Sequence, residues 1–290
     1  MNKMSGAVLP LTLVILAILT IMALTLTQKS NGYLDQAIEY KKQWQAEIQI
    51  HNAEQRVLLT LISGHFSPGS ITLGNTNLPI YSEPYVLSND VEVKVQDEAG
   101  LINILHASSK TVVRLLNNLG YSEQATDITN EAFAWQSPLR TIPVQLPLSA
   151  RNLPFRSEDE LLELPSMKPD YFNGKQDGTL PIKDYLLVSG PGWMNYAAMP
   201  EQVLTATLSL NLNELDRIKE LRARNKWDEL KPIFRGYGMY GEGLEFSPSP
   251  NFIVNFSYKG YRAKGSYKML SASHYLYEKR IWNFPKQDRF

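Results

Sequence analysis

Residues Ala7 to Thr27 form an uncharged apolar run of about 21 residues, and at ~1.5 Å of rise per residue a helix of that length spans roughly 30 Å, the hydrocarbon thickness of a bilayer. A secretory signal peptide would have a shorter apolar core followed by a small-residue cleavage site. Here Met22-Ala-Leu-Thr-Leu-Thr27 passes straight into Gln28-Lys-Ser-Asn31, so the run reads as a single membrane span continuing into a polar helical segment that ends near Ser63. The rest of the chain is therefore expected to be tethered to a membrane. Basic residues do not orient the span: Lys3 and the amino terminus lie on one side, Lys29, Lys41 and Lys42 on the other.

About 260 residues lie beyond the span, enough for one large domain or two small ones. The 29 basic residues balance 29 acidic ones and cysteine is absent. Balanced charge provides no broad basic field for nucleic acid. The lack of cysteine removes disulfides, thiol nucleophiles and thiolate metal sites together.

Periodicity divides the chain into three blocks. From Asn31 to Ile62, Leu34, Ile38, Trp44, Ile48, Val57, Leu58, Leu61 and Ile62 recur at roughly helical spacing, until Gly64 and Pro68 stop the helix. Short strands follow at Ile71–Leu73, Ile80–Tyr81, Tyr85–Leu87 and Val91–Val95, broken by Gly74-Asn75 and Asn89-Asp90. Next, Val95-Gln-Asp-Glu-Ala-Gly-Leu-Ile-Asn-Ile104 reads as strand, acidic turn, strand. The middle block is helical. Lys110–Leu119 closes on Gly120, Ser122–Trp135 has Ser122 as its expected N-cap, and Ser157 with Glu160 forms an expected capping box. Pro138, Pro143, Pro147 and Pro154 mark an extended linker, Asp170–Gly178 a loop, and Asn195–Leu208 and Asn213–Arg224 two further helices. Strands return at Phe252–Tyr258, Tyr261–Leu270 and Tyr275–Trp282, with a hairpin turn at Lys259-Gly260. A helix followed by strands, an all-α insert and more strands gives an α+β chain.

The leader Met1-Asn-Lys-Met-Ser-Gly6, with a glycine directly before the apolar run, resembles a type IV prepilin leader. That resemblance implies cleavage after Gly6 by a prepilin peptidase, N-methylation of Ala7, and an inner-membrane anchor with the bulk of the chain in the periplasm. Most pilins carry glutamate at the fifth mature position, a carboxylate that is costly in lipid unless paired; here that position is Leu11. In this the chain is similar to the K-type minor pseudopilins of type II secretion systems, which cap the pseudopilus. Further phrases carry the same resemblance: Asp97, Glu98, Gly100, Ile102 and Asn103; Leu115-Leu-Asn-Asn-Leu-Gly120; Pro154-Phe-Arg-Ser-Glu-Asp-Glu-Leu-Leu162; and Asn195-Tyr-Ala-Ala-Met-Pro-Glu-Gln-Val-Leu204, which lacks the doubled Asn and the Thr-Ala usual there.

The resemblance implies a pilin-like fold, with the amino-terminal transmembrane helix packed on an antiparallel sheet and an inserted helical domain of sterile-alpha-motif-like or helix-hairpin-helix-like character. The corresponding boundaries are a leader at 1–6, a span at 7–27, helix and first strands at 28–106, the insert at 107–235 and closing strands at 236–290. Implied partners are the I- and J-type minor pseudopilins, the major pseudopilin, the prepilin peptidase, and exported cargo or the outer-membrane secretin, with no nucleic acid. A minor pilin of a type IV pilus or DNA-uptake machine fits the same parts.

No residue pattern announces catalysis. His51, His65, His106 and His274 are scattered, no G-x-S-x-G occurs, and the Gly-rich stretch Gly236–Gly243 lacks a following lysine-serine pair. Asp170, Asn173 and Asp177 could offer oxygen ligands to calcium, with Asp97 and Glu98 as a second cluster, although Asx-rich loops also simply cap turns. The K-type resemblance implies calcium as well. Lys219, Arg222, Arg224 and Lys226 sit among Glu214, Asp216, Glu220, Asp228 and Glu229, the mixture of a solvated helix surface rather than a nucleic-acid face.

Overall fold

The structure is a computed structural model that describes residues 8–137, 146, 147, 150, 152–174, 179–238, 245–270 and 275–287. Helix α1 (Val8–Ser63) is one continuous element of 56 residues, about 84 Å long, and merges the apolar run with the polar segment behind it. Its first part, from Leu9 through Lys42, is exposed all round. Its last turns lie on a sheet through Ala46, Ile50, Ala53, Val57 and Leu61, all buried. Leu34, Ile38, Trp44 and Ile48, expected on the packed face, are instead exposed; the small residues Ala46 and Ala53 let the helix approach the sheet closely there.

Beyond α1 a meander forms from β1 (His65–Ser67), β2 (Ser70–Leu73) and β3 (Thr76–Pro79). The expected strand at Ile80–Tyr81 is reduced to a bridge between Tyr81 and Gln96. Next come β4 (Tyr85–Val86), β5 (Glu92–Asp97), a 3-10 turn at Glu98–Gly100 and β6 (Ile102–Asn103). The middle of the chain contributes α2 (Ser109–Asn118), α3 (Ala125–Gln136), α4 (Pro169–Asn173), β7 (Leu186–Leu187), α5 (Glu201–Leu208), α6 (Leu212–Ala223) and α7 (Trp227–Gly236). The chain closes with β8 (Asn251–Tyr258), β9 (Tyr261–Met269) and β10 (Tyr277–Gln287). The main sheet runs β10-β9-β8-β5-β4, antiparallel throughout. Lys259 and Gly260 make the β8–β9 turn with positive φ, 47° and 85°.

Several local expectations are corrected. Ser122 is not an N-cap: α3 starts at Ala125, because buried Tyr121, whose hydroxyl donates to the Leu180 carbonyl at 2.9 Å, turns the chain first. Ser157 makes no cap hydrogen bond, and Glu158–Glu163 is a 3-10 helix that Pro165 prevents from continuing. Part of the expected loop from Asp170 is helical, because Pro169 presets the first turn of α4. The expected Asn195–Leu208 helix breaks at Met199, which stands before Pro200 in extended conformation. Helix α7, which carries Pro232 internally, was not expected. The insert is also not purely helical, since β7 pairs in parallel with β6. Finally, β10 extends past Trp282 to Gln287 and passes Pro285 at a register shift, a position an edge strand tolerates.

Among the described residues two large hydrophobic cores result, with a small third cluster of Leu101, Leu187 and Ile253 between them. One lies between α1 and the main sheet, around Ile50, Val57, Val93, Val95, Val254 and Phe256. The other fills the helical insert around Leu115, Ile128, Trp135, Val203, Ile218 and Phe234, with Trp135 stacked on Phe155 at 5.2 Å between ring centroids.

Candidate functional site

The membrane-length part of α1 satisfies its own polar atoms. Thr12, Thr20, Thr25 and Thr27 donate their hydroxyls to carbonyls three or four residues back, at 2.8–2.9 Å, so no unpaired hydroxyl is offered to lipid. Leu11 is 61% exposed on this helix. Gly6 and Ala7 lie outside the described residues.

Where the insert meets the sheet, the chain builds a buried polar seam on Asp97. Asp97 Oδ1 accepts from Ala99 N at 3.0 Å and from Ser249 Oγ at 2.5 Å, Ser249 N reaches both oxygens, and Asp97 Oδ2 accepts from Asn195 Nδ2 at 2.9 Å. Asn195 Nδ2 also donates to the Pro68 carbonyl at 2.7 Å, and Asn195 N to the Ala99 carbonyl at 2.7 Å. One carboxylate thus ties together the end of β5, the segment before β8 and the return of the insert. Two stretches that looked separate in the sequence, Asp97–Asn103 and Asn195–Leu204, meet here. Gly100 makes the approach possible: a Cβ on it would fall 2.1 Å from the Ala198 carbonyl oxygen.

Burial sets the electrostatics of this seam. It pushes the Asp97 carboxyl above its ordinary range, opposed by the hydrogen bonds from Ser249, Asn195 and Ala99. Glu98, also buried, is pushed up to about 7 by desolvation, with Arg280 pulling it down and Glu158 pushing it further up. A second contact crosses the seam at Arg222 of α6. Its guanidinium donates to the Met199 carbonyl at 2.7 Å and the Tyr196 carbonyl at 2.6 Å and lies 5.1 Å from the centre of the Tyr81 ring. Burial lowers its pKa to about 10.

The described calcium candidates lie in two places, Asp170 and Asn173 on α4 and Asp97 and Glu98 at the end of β5 and its 3-10 turn. Asn173 Oδ1 accepts from Lys183 Nζ at 2.6 Å, so an ammonium stands where a metal would. Asp170 lies in the first turn of α4, and Asp177 lies outside the described residues. The Asp97 oxygens are already engaged by protein donors. Among the described residues no three acidic or histidine side chains converge. Three of the basic residues clustered near the end of α6 are paired with acids: Lys219 with Glu201 at 2.6 Å, Arg224 with Glu220 at 2.8 Å and Lys226 with Glu229 at 3.4 Å.

Sequence reasoning missed Ser249, Arg222 as a buried clamp, Tyr81, and the Glu54–Lys279 ion pair that fastens α1 to β10. Each is an isolated polar residue whose partner lies far away in sequence, so no spacing announces it. Asn195, between Met194 and Tyr196, carries a hint of burial in its flanks, whereas Asp97, between Gln96 and Glu98, carries none.

No model of a known protein family matches the chain, and no curated protein matches it significantly.

Proposed function

We propose that the chain is a minor pseudopilin of a type II secretion system, cleaved after Gly6 and N-methylated on Ala7, which sits at the tip of the pseudopilus and initiates or caps its assembly. It does no chemistry itself. The observation that carries this reading is α1, whose length from Leu9 to Lys42 is exposed although it holds Tyr33, Leu34, Ile38 and Tyr40 beyond the apolar run. A lone helix of this kind is marginal in water and gains its stability from packing against neighbours. Leu11 suits a subunit that needs no partner charge at that depth of the bilayer, and the insert gives it a bulk that opposes stacking of a further subunit above. Its partners on this reading are the I- and J-type minor pseudopilins and the major pseudopilin.

The test is the mature amino terminus, read by intact-mass and terminal-peptide mass spectrometry of protein from native membranes, with and without the prepilin peptidase. A peptidase-dependent, methylated Ala7 is expected; an uncut Met1 start overturns the reading. Deleting the gene separates the two machines: loss of exoprotein secretion is expected, whereas loss of twitching or DNA uptake assigns the chain to a type IV pilus or uptake machine.

A further inference from the structure

Two side-chain contacts fix which end of the main sheet lies nearest the apolar run. Tyr261, at the start of β9, donates its hydroxyl to Glu39 at 2.6 Å, and Tyr267 further along the strand donates to Glu54 at 2.7 Å. The strand between the two tyrosines covers about 20 Å and the helix between the two glutamates about 22 Å. Strand β9 therefore runs alongside α1 and in the same sense, away from the apolar run. The turn Tyr258-Lys259-Gly260-Tyr261 that joins β8 to β9 is thus the end of the sheet closest to the bilayer that the apolar part of α1 fits.

That end is basic. Lys259 is exposed at the tip of the turn, its Nζ 5.2 Å from the centre of the Tyr258 ring. Its φ of 47° is a conformation for which a two-residue hairpin turn usually takes Asn, Asp or Gly, so the turn carries a cation where its geometry alone asks for none. Exposed Arg262 follows on the sheet face turned away from α1, in register with Lys286 of β10. The neighbouring acids are engaged: Glu39 by Tyr261 and by Lys42 at 3.7 Å, and Glu92 by Lys94 at 3.7 Å. With the hydrocarbon edge at Thr27, Glu39 stands about 18 Å above it. The turn lies about 3 Å lower, one strand step. A lysine stem of about 6 Å then brings the ammonium within one screening length, about 8 Å, of the headgroup layer. Lys29 and Tyr33, both exposed on α1, mark the level of that layer.

We propose that the β8–β9 turn docks on anionic phospholipid headgroups of the bilayer that holds α1. Lys259, backed by Arg262, settles on the headgroup phosphates and holds the sheet down at its β9 end, so the orientation of the domain above the membrane follows the charge of the lipid. The inference rests on α1 spanning the membrane and not on the pseudopilin reading.

The chain contains no cysteine, so a single introduced cysteine carries a fluorophore at one position. Ser257→Cys, in register with Arg262, reports from the turn. Leu212→Cys, at a position 80% exposed on the insert, reports from the unit that joins the sheet at its opposite end through Asp97 and Ser249. Each full-length variant is reconstituted into nanodiscs of phosphatidylcholine, or of phosphatidylcholine with about 30% phosphatidylglycerol, both carrying the same share of lipid with a nitroxide quencher on its headgroup. Quenching at Ser257→Cys should be about twofold greater in the anionic discs, and quenching at Leu212→Cys the same in both. Adding Lys259→Glu and Arg262→Glu to Ser257→Cys, or raising NaCl to about 0.5 M, should remove the gain; Lys259→Arg with Arg262→Lys should keep it. Equal quenching in the two kinds of disc, an equal gain at Leu212→Cys, a gain that survives charge reversal or salt, or its loss in the charge-conserving variant overturns the docking. Flotation with phosphatidylcholine vesicles separates the two premises. A chain that does not co-float loses the membrane span and the docking with it, whereas one that co-floats and shows no gain in anionic discs loses the docking alone.

Discussion

Asp97 shows how one carboxylate can organise a junction. Its four donors come from Ala99, Ser249 and Asn195, and removing it strands them in a buried site, each unmet donor costing about 1–3 kcal/mol. Asp97→Ala is expected to lower the melting temperature by at least 6 °C, using about 2–4 °C per kcal/mol for a chain of this size; a thermal melt followed by circular dichroism checks it, and an unchanged midpoint removes the junction role. Glu98 beside it gives a pH dependence with a definite sign. Its carboxyl titrates near 7 when folded against 4.5 as an ordinary glutamate, so the folded state binds its proton more tightly across that interval. Stability from this group is therefore greatest below about pH 4.5 and falls as pH rises through 7. Asp97 and Glu158, raised by burial as well, act in the same direction. Melts at pH 5.5 and pH 8 should give the higher midpoint at pH 5.5, and Glu98→Gln should narrow that gap by raising the midpoint at pH 8. A gap that Glu98→Gln leaves unchanged assigns the pH dependence elsewhere.

Among the elements, α1 and the strands of the main sheet were legible because one period dominates each. The apolar run, the alternation in β5 and the β-branched and aromatic residues of β8 and β9 all agree with their local geometry. The helical insert was legible as a block but not in its joints. Ser122 and Ser157 have good cap chemistry and go unused, because buried Tyr121 and Leu161 decide where the chain turns. Helix α7 was hidden by Pro232. The face that α1 buries was misread for a related reason: Ala46 and Ala53 carry little hydrophobic signal, while exposed Trp44 and Ile48 carry a strong one. The seam was the least legible part, since the partners of Asp97, Asn195 and Arg222 are set by tertiary contact alone. For α6 this leads to a specific expectation. Arg222 bonds two carbonyls with its planar fork and stacks on Tyr81, and an ammonium group reproduces neither the fork nor the stacking. Arg222→Lys should therefore lose nearly as much stability as Arg222→Met, about 2–4 kcal/mol in each case, as read by denaturant unfolding. Full retention by the lysine variant would show that charge alone suffices there.

At the scale of the whole molecule, the two large cores have mostly separate hydrophobic contents, yet they are joined by the Asp97 junction, the Arg222 clamp, the Lys264–Asp184 ion pair at 2.9 Å, the small Leu101–Leu187–Ile253 cluster and the close approach of Gly100 to Ala198. Either core loses buried polar partners if the other opens, so the two should unfold together in spite of their separate packing. The full chain in detergent is expected to show one calorimetric transition. Gly100→Ala tests the coupling at the contact between the two: its methyl group would overlap the carbonyl of Ala198, the insert residue that packs into the sheet core, and the relief available is to lift the insert off the sheet. That variant should show two transitions, with amide exchange rising first in α5 and α6 while β8 and β9 stay protected. Two transitions already present in the unmodified chain, or a single shifted one in the variant, would falsify the coupling.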